Sequence, residues 1–203
     1  MKIGIAGYGY VGQAYEYILK EYHDIIVSDP AKGHYGDLRH ADAIIICVST
    51  PSGVDGYCDT TNVSDVINES PDVPILIKST ISVEAWRAIN NLYPKHQIAF
   101  SPEFLRANTA IDDFKNSDRM FIGGKKVHIW HTVFMQAFDN PQWVTQAAEP
   151  EELILAKYAR NSFLALKVSF FNQLYDLCQS ADIDYNAVAN ITADDKRIGN
   201  SHT

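Results

Sequence analysis

Short apolar blocks recur along this chain at regular intervals. Lys2-Ile3-Gly4-Ile5-Ala6, Ile25-Ile26-Val27-Ser28-Asp29, Ala43-Ile44-Ile45-Ile46-Cys47-Val48, Ile75-Leu76-Ile77-Lys78, Gln97-Ile98-Ala99-Phe100, Arg119-Met120-Phe121-Ile122-Gly123 and Gln142 to Thr145 all have strand length. The Ile/Val run at 43–48 is nearly continuous, as in a parallel strand covered on both faces. Between the blocks lie helical stretches: one after Gly12, one over Val63 to Asn68 that Thr60 or Thr61 can cap, one over Val83 to Leu92 with Ser82 as N-cap and Glu84 in its first turn, and one over Lys125 to Phe138. Strand and helix alternate through roughly the first 148 residues, which predicts an open, doubly wound parallel α/β sheet.

From Glu149 the pattern changes. Glu149-Pro150-Glu151-Glu152 is an acidic helix start that tolerates proline, and helical periodicity then runs to about Cys178. Such a helix is about 40 Å long at 1.5 Å per residue, too long for a crossover. A last short helix is expected over Ile183 to Thr192. The chain thus divides into 1–148 and 149–203.

The loop Gly7-Tyr8-Gly9-Tyr10-Val11-Gly12 turns this fold reading toward chemistry. Gly7 permits a tight turn, Gly9 lets the backbone approach a pyrophosphate, and Gly12 lets helix and strand pack closely. The helix N-terminus supplies the anion site. Glycines also mark ordinary turns, so the acidic partner decides. Asp29 ends the second strand, seventeen residues after Gly12. A carboxylate there accepts the adenosine ribose hydroxyls and repels a 2′-phosphate. Pro30-Ala31-Lys32 follows with no arginine, so NAD is favoured over NADP in a Rossmann-like domain. Ser49-Thr50-Pro51 follows the next strand at its C-terminal end, where its hydroxyls can meet the cofactor; a Ser/Thr turn without a ligand is the open alternative.

Composition narrows the partners. The 203 residues are 46% hydrophobic and 21% charged, with a net charge of −8. That acidity argues against nucleic acid or an anionic membrane surface. The longest apolar run, Ala43 to Val48, is too short to span a bilayer. Cys47, Cys58 and Cys178 read as reduced thiols of a cytoplasmic protein. His128 and His131 can share a helix face, but no third ligand lies near them and no metal is expected.

On the long helix, Ile154, Lys157, Asn161, Leu164, Val168, Phe171, Tyr175 and Cys178 share one face. Lys157 and Asn161 are polar on an otherwise apolar line, which suggests that they open onto a polar cavity. A helix that rolls so that its N-terminal part is exposed is the alternative.

With Lys78-Ser79-Thr80, Ser101-Pro102-Glu103-Phe104-Leu105-Arg106, Ser117-Asp118-Arg119 through Ile122-Gly123-Gly124, Lys157-Tyr158-Ala159-Arg160-Asn161 and Arg197-Ile198-Gly199 added to the glycine loop and Ser49-Thr50-Pro51, the chain resembles the nucleotide-sugar 6-dehydrogenases, the UDP-glucose and GDP-mannose dehydrogenase family. The resemblance implies oxidation of a sugar C6 alcohol to the acid by two NAD, through a cysteine thiohemiacetal and thioester, with UDP-glucose as the expected substrate. It implies that Lys157 and Asn161 donate to the oxyanion, that Glu103 activates water, and that Thr80 holds a water or hydroxyl near the reacting carbon. Phe104, Leu105 and Arg106 would meet the sugar nucleotide; Tyr10, Val11, Thr50 and Thr80 would line the NAD site beside Asp29. The long helix would also pack a homodimer.

Departures accompany the likeness. The family nucleophile lies in a Gly-Gly-x-Cys segment beyond the Arg-Ile-Gly stretch, and none of the three cysteines matches it. The expectation is therefore an N-terminal NAD-binding portion without the C-terminal nucleotide-sugar domain, inactive by itself. Ala107 stands where a second glutamate is usual, Ser82 replaces a proline, and the stretch between Asp29 and Ala43 is short. Two rivals are a non-catalytic NAD-binding or regulatory subunit and a 3-hydroxyacid or 6-phosphogluconate-type dehydrogenase, although Ser-Pro-Glu-Phe-Leu-Arg is foreign to the latter.

Overall fold

A computed structural model describes residues 1–54, 56–117, 119–137 and 144–203. Asp118 of the Ser117-Asp118-Arg119 match, Phe138 and Gln142 lie outside the described residues. The chain forms two compact units, Met1–Leu155 and Ala156–Thr203.

The first unit holds strands β1 (Lys2–Ala6), β2 (Asp24–Asp29), β3 (His34–Tyr35), β4 (Ala43–Ile46), β5 (Pro74–Ile77), β6 (Gln97–Phe100), β7 (Arg119–Gly124) and β8 (Val144–Ala147). Its helices are α1 (Tyr10–Leu19), α2 (Thr61–Glu69), α3 (Val83–Leu92), α4 (Ala110–Lys115) and α5 (Val127–Ala137), and α6 (Pro150–Ala181) begins there. The sheet order is β3-β2-β1-β4-β5-β6-β7-β8. Strands β2, β1, β4, β5 and β6 run parallel, with Ala6 paired to both Ser28 and Ile46. The chain leaves β1 in one direction to β2 and returns on its other side at β4. That reversal opens a crevice beyond the carboxyl ends of β1 and β4.

This is the expected Rossmann-like α/β fold, with antiparallel pairings near both ends of the sheet. β3 pairs antiparallel with β2 because only the 3₁₀ turn Pro30–Lys32 and Gly33 separate them, too little for a return crossover; a second 3₁₀ turn, Leu38–His40, follows β3. β7 is antiparallel to β6. The helix between them, α4, has six residues and a length of about 9 Å, too little for a return crossover.

Alternation along β4 assigns residues to two cores. Ala43 and Ile45 pack with Ile3, Ile5, Tyr15, Leu19, Trp130 and Phe134 beneath α1 and α5. Ile44 and Ile46 pack with Val63, Ile67, Trp86, Ile89, Leu153 and Ile154 beneath α2, α3 and the start of α6. Each fully buried isoleucine contributes about 1.5–3 kcal/mol. Ser82 caps α3 as expected, its Oγ accepting the Ala85 N–H at 3.1 Å. At α2 neither expected threonine caps; the Asp59 carboxylate accepts the Thr61 N–H at 2.9 Å and its hydroxyl at 2.6 Å.

In the second unit α6 continues to Ala181 and α7 spans Tyr185–Ala193, capped by Asp184 through the Asn186 N–H at 2.9 Å. With 32 residues α6 is about 48 Å long, longer than expected. Lys167 donates to the carbonyls of Ile198, Gly199 and Ser201 at 2.7, 2.7 and 2.5 Å. Among the described residues no helix is long and apolar enough to cross a membrane.

Candidate functional site

The three glycines of the first loop occupy three different environments. Gly7 has φ +90°, and a Cβ there would stand 2.7 Å from the Cys47 carbonyl group and the Val48 nitrogen, so only glycine fits the turn. A Cβ on Gly12 would lie 2.1 Å from the Gly7 oxygen, which is how closely α1 rests on the end of β1. A Cβ on Gly9 would meet nothing within 4 Å. Gly9 is also the N-cap of α1, with no side-chain cap and no acidic residue in the first turn. The loop therefore presents open space directly before an uncapped helix start, the geometry a diphosphate needs.

Asp29 faces this loop from the end of β2, its Oδ2 accepting the Tyr8 N–H at 2.7 Å. The Tyr8 carbonyl accepts from Lys32 Nζ at 2.8 Å and Gln13 Nε2 at 3.2 Å. The Tyr8 ring packs on His34, centroids 4.3 Å apart, and its hydroxyl donates to the Glu16 carboxylate. That hydrogen bond raises the Tyr8 phenol to about 12. Tyr10 is half exposed and Val11 packs at the margin of the α1 core.

Across the crevice, Thr50 Oγ1 donates to the Thr80 carbonyl at 2.6 Å, and Cys58 Sγ approaches the same oxygen at 3.4 Å. The Thr50 proton is thus committed to Thr80, and toward a ligand the hydroxyl can only accept. Asn62 holds the Ser49 carbonyl at 3.0 Å, and Pro51 accepts the Asp59 N–H at 2.9 Å.

Beyond Thr80 lies a buried polar cluster that the sequence reading did not assemble. Lys78 Nζ donates to Ser101 Oγ at 2.9 Å and the Pro102 carbonyl at 3.0 Å, and pairs with Glu103 Oε2 at 3.3 Å; the two side chains are 2% and 9% exposed. Tyr15 OH reaches the same Glu103 oxygen at 3.4 Å, and the ammonium lies 5.3 Å from the Tyr15 ring centre. Glu103 Oε1 accepts the N–H groups of Phe104 and Leu105 at 2.8 and 2.9 Å. Burial lowers the Lys78 ammonium from its ordinary value, against the opposing pull of Glu103. Burial raises the Tyr15 phenol and the Cys47 thiol, so both stay protonated at neutral pH. Lys78 had a hint in the sequence, as a lysine closing an apolar run. Tyr15 had none, since an aromatic on the inner face of α1 reads as core.

Not every expected ligand residue is placed as the sequence suggested. The Arg106 guanidinium is bound bidentately to Asp113, at 3.0 and 2.5 Å, and staples its own loop to α4. Lys157 and Asn161 belong to the second unit, one turn apart on α6. Lys157 is buried and Asn161 exposed, so they do not share one environment. The structure thus gathers Gly7, Gly9, Gly12, Asp29, Ser49, Thr50, Pro51, Thr80 and Glu103 along one edge of the first unit's sheet.

Comparison with known proteins gives this arrangement a context. Residues 33–136 match the family described as UDP-glucose/GDP-mannose dehydrogenase family, NAD binding domain, and residues 151–203 match the central domain of the same family. The glycine loop and Asp29 precede the first of these matches. UDP-glucose 6-dehydrogenase YwqF of Bacillus subtilis is 34% identical over 176 residues, covering 80% of this chain and 39% of the relative. UDP-glucose 6-dehydrogenase of Rhizobium meliloti is 32% identical over 200 residues, covering 86% and 45%. The chain thus spans less than half the length of these curated relatives. Among solved structures, a UDP-glucose dehydrogenase from Pyrobaculum islandicum superposes with a TM-score of 0.81 at 24% identity, over 99% of this chain and 58% of that one. A GDP-mannose dehydrogenase from Pseudomonas aeruginosa gives 0.80 at 21%, over 96% and 57%. At these identities the superpositions speak for the fold.

Proposed function

The chain belongs to the UDP-glucose/GDP-mannose dehydrogenase family and carries its NAD-binding domain, and from that premise we propose that the crevice of β1 and β4 holds NAD for a nucleotide-sugar 6-dehydrogenase reaction. The residues present suit the cofactor. Gly9 leaves room for the diphosphate beside the α1 N-terminus, and Asp29 faces the same loop with one oxygen not spent on Tyr8. The glycine geometry is the observation that carries the reading. When bound, NAD accepts a hydride in each of the two oxidations from alcohol to acid.

The chain's own residues then divide the remaining tasks. Asp29 holds the adenosine ribose and excludes a 2′-phosphate. Tyr10, Val11, Ser49, Thr50 and Pro51 line the cofactor, with Thr50 accepting rather than donating. Thr80 holds a water or hydroxyl near the reacting carbon. Glu103, paired with Lys78, takes the proton of the attacking water. Lys157 and Asn161 of the second unit are the oxyanion donors of this reading, which for the exposed Asn161 requires a change of surroundings, and Phe104, Leu105 and Arg106 receive the sugar nucleotide, UDP-glucose being the proposed substrate because the named curated relatives act on it. For Phe104 and Leu105 this requires their N–H groups to leave Glu103, and for Arg106 it requires release from Asp113.

Residues 1–148 serve in this reading as the cofactor domain, and 149–203 as the connecting helix and the start of the central domain. Phe163, Leu166, Phe170 and Leu177 form an exposed apolar line on α6, at least 57% exposed each, which supports a homodimer. Cys47, Cys58 and Cys178 are free thiols, as suits the reducing cytoplasm. These 203 residues contain no Gly-Gly-x-Cys segment. The polypeptide by itself therefore binds NAD⁺ without sustained turnover, lacking a thiolate to carry the second oxidation. Calorimetric titration with NAD⁺ and NADP⁺, together with NADH formation from UDP-glucose, tests both statements: absence of NAD⁺ binding refutes the first, and steady NADH production the second.

A further inference from the structure

The residues beside Asp29 determine more than the ribose contact. Tyr8, the residue between the first two glycines, is held at both ends of its backbone by the end of β2 and the turn that follows it. Its N–H donates to Asp29 Oδ2 at 2.7 Å, and its carbonyl accepts from Lys32 Nζ at 2.8 Å. Lys32 is not on a wandering loop. It ends the 3₁₀ turn Pro30–Lys32, which proline opens and Gly33 closes at φ +78°, with the Gly33 N–H on the Pro30 carbonyl at 3.1 Å.

The C=O and N–H of a trans peptide point in opposite directions. The Tyr8 carbonyl shares its peptide with the Gly9 N–H, so fastening the carbonyl toward Lys32 turns the Gly9 N–H to the other side. Gly9 is also the residue beside which a Cβ would find open space. At the same time the cation nearest Asp29 in sequence is committed to a carbonyl. Resting on the cofactor reading above, we infer that Lys32 is a positioning residue of this site: it braces the diphosphate loop through the Tyr8 carbonyl, and that contact keeps it from meeting a 2′-phosphate, so the choice of cofactor does not depend on it.

The test uses the full 203-residue chain, with calorimetric titration of NAD⁺ and NADP⁺ and amide NMR of the ligand-free protein. Lys32→Met weakens NAD⁺ binding about fivefold, the loss of one modest hydrogen bond, and leaves the preference for NAD⁺ over NADP⁺ where it was. Lys32→Arg, which can still donate to the carbonyl, recovers most of the affinity. Asp29→Asn gains no NADP⁺ binding that a further Lys32→Met would remove. In the free protein the Gly9 amide resonance moves in Lys32→Met and stays in place in Lys20→Met. The inference is overturned if Lys32→Met binds NAD⁺ like the parent, if Asp29→Asn acquires NADP⁺ binding that depends on Lys32, or if the Gly9 amide does not move. A parent chain that binds no NAD⁺ contradicts the cofactor reading instead, and the amide experiment then still decides the brace.

Discussion

Replacing Gly9 and Gly12 separately by alanine should produce opposite phenotypes, although both changes add one methyl to one loop. At Gly12 the new Cβ would stand 2.1 Å from the Gly7 oxygen. An ordinary carbon–oxygen contact is about 3.3–3.6 Å, so α1 must retreat from the end of β1 by more than about 1 Å. The obstacle is backbone and cannot rotate away. The cost belongs at the upper end of overpacking, about 3 kcal/mol, which lowers a urea midpoint by about 1–3 M for m-values of about 1–3 kcal/mol/M. At Gly9 the backbone is already extended, φ −72° and ψ −171°, and nothing lies within 4 Å. There alanine is neutral or stabilises by up to about 1 kcal/mol through the unfolded chain. Its methyl instead fills the space assigned to the diphosphate, and NAD⁺ affinity falls at least about tenfold, or 1.4 kcal/mol. Urea unfolding and calorimetry on both variants read the two effects independently. The reasoning fails if Gly12→Ala unfolds within 1 kcal/mol of the parent, or if Gly9→Ala binds NAD⁺ undiminished.

Three further outcomes follow from the polar contacts. Lys78→Met strands a carboxylate that is 9% exposed and should cost about 3–5 kcal/mol in chemical unfolding, while Lys78→Met with Glu103→Gln recovers more than half; equal losses would show that the ion pair is not the cause. Asp113 is held well below the usual carboxylate range by Arg106. Its contribution is present above the unfolded value of about 3.9 and is lost as pH falls toward the folded value, so Asp113→Asn flattens the fall of the urea midpoint below about pH 4. Tyr8 stays a phenol up to about 12 because of Glu16; its contribution is complete below its unfolded value and declines as pH rises toward 12. Phenolate absorbance should show Tyr8 and Tyr15 both ionising late, and Glu16→Gln should return Tyr8 alone toward ordinary behaviour.

How much of this was legible in the sequence depends on the range of the interaction. The α3 cap at Ser82 and the close approach of Gly12 to Gly7 are local, and the residues specify them. Strand direction is not carried by a period of two, so the antiparallel β3 and β7 could be read only from what their connections lack. Helix α4 is not legible in the sequence, because six residues with two aspartates show no periodicity. In the site, Asp29 is near the glycine loop in sequence, and the two meet through the Tyr8 N–H. Tyr15 and Glu103 are 88 positions apart and meet only because the sheet brings the loop after β6 beside the buried face of α1. Arg106 reads as a cation for a ligand until Asp113, seven residues on, is seen to occupy its fork. On α6 a single stripe could not tell Lys157 from Asn161.

In mechanical terms Lys78 is a rivet through two loops that hang from neighbouring strands. Its ammonium grips three successive residues, Ser101, Pro102 and Glu103, from the far end of β5. Two positions onward the Thr80 carbonyl is tethered to Thr50 and Cys58. A molecule that nudges any one of these loops therefore moves the others with it. None of these segments can be redrawn alone, because each shares a hydrogen bond or an ion pair with another.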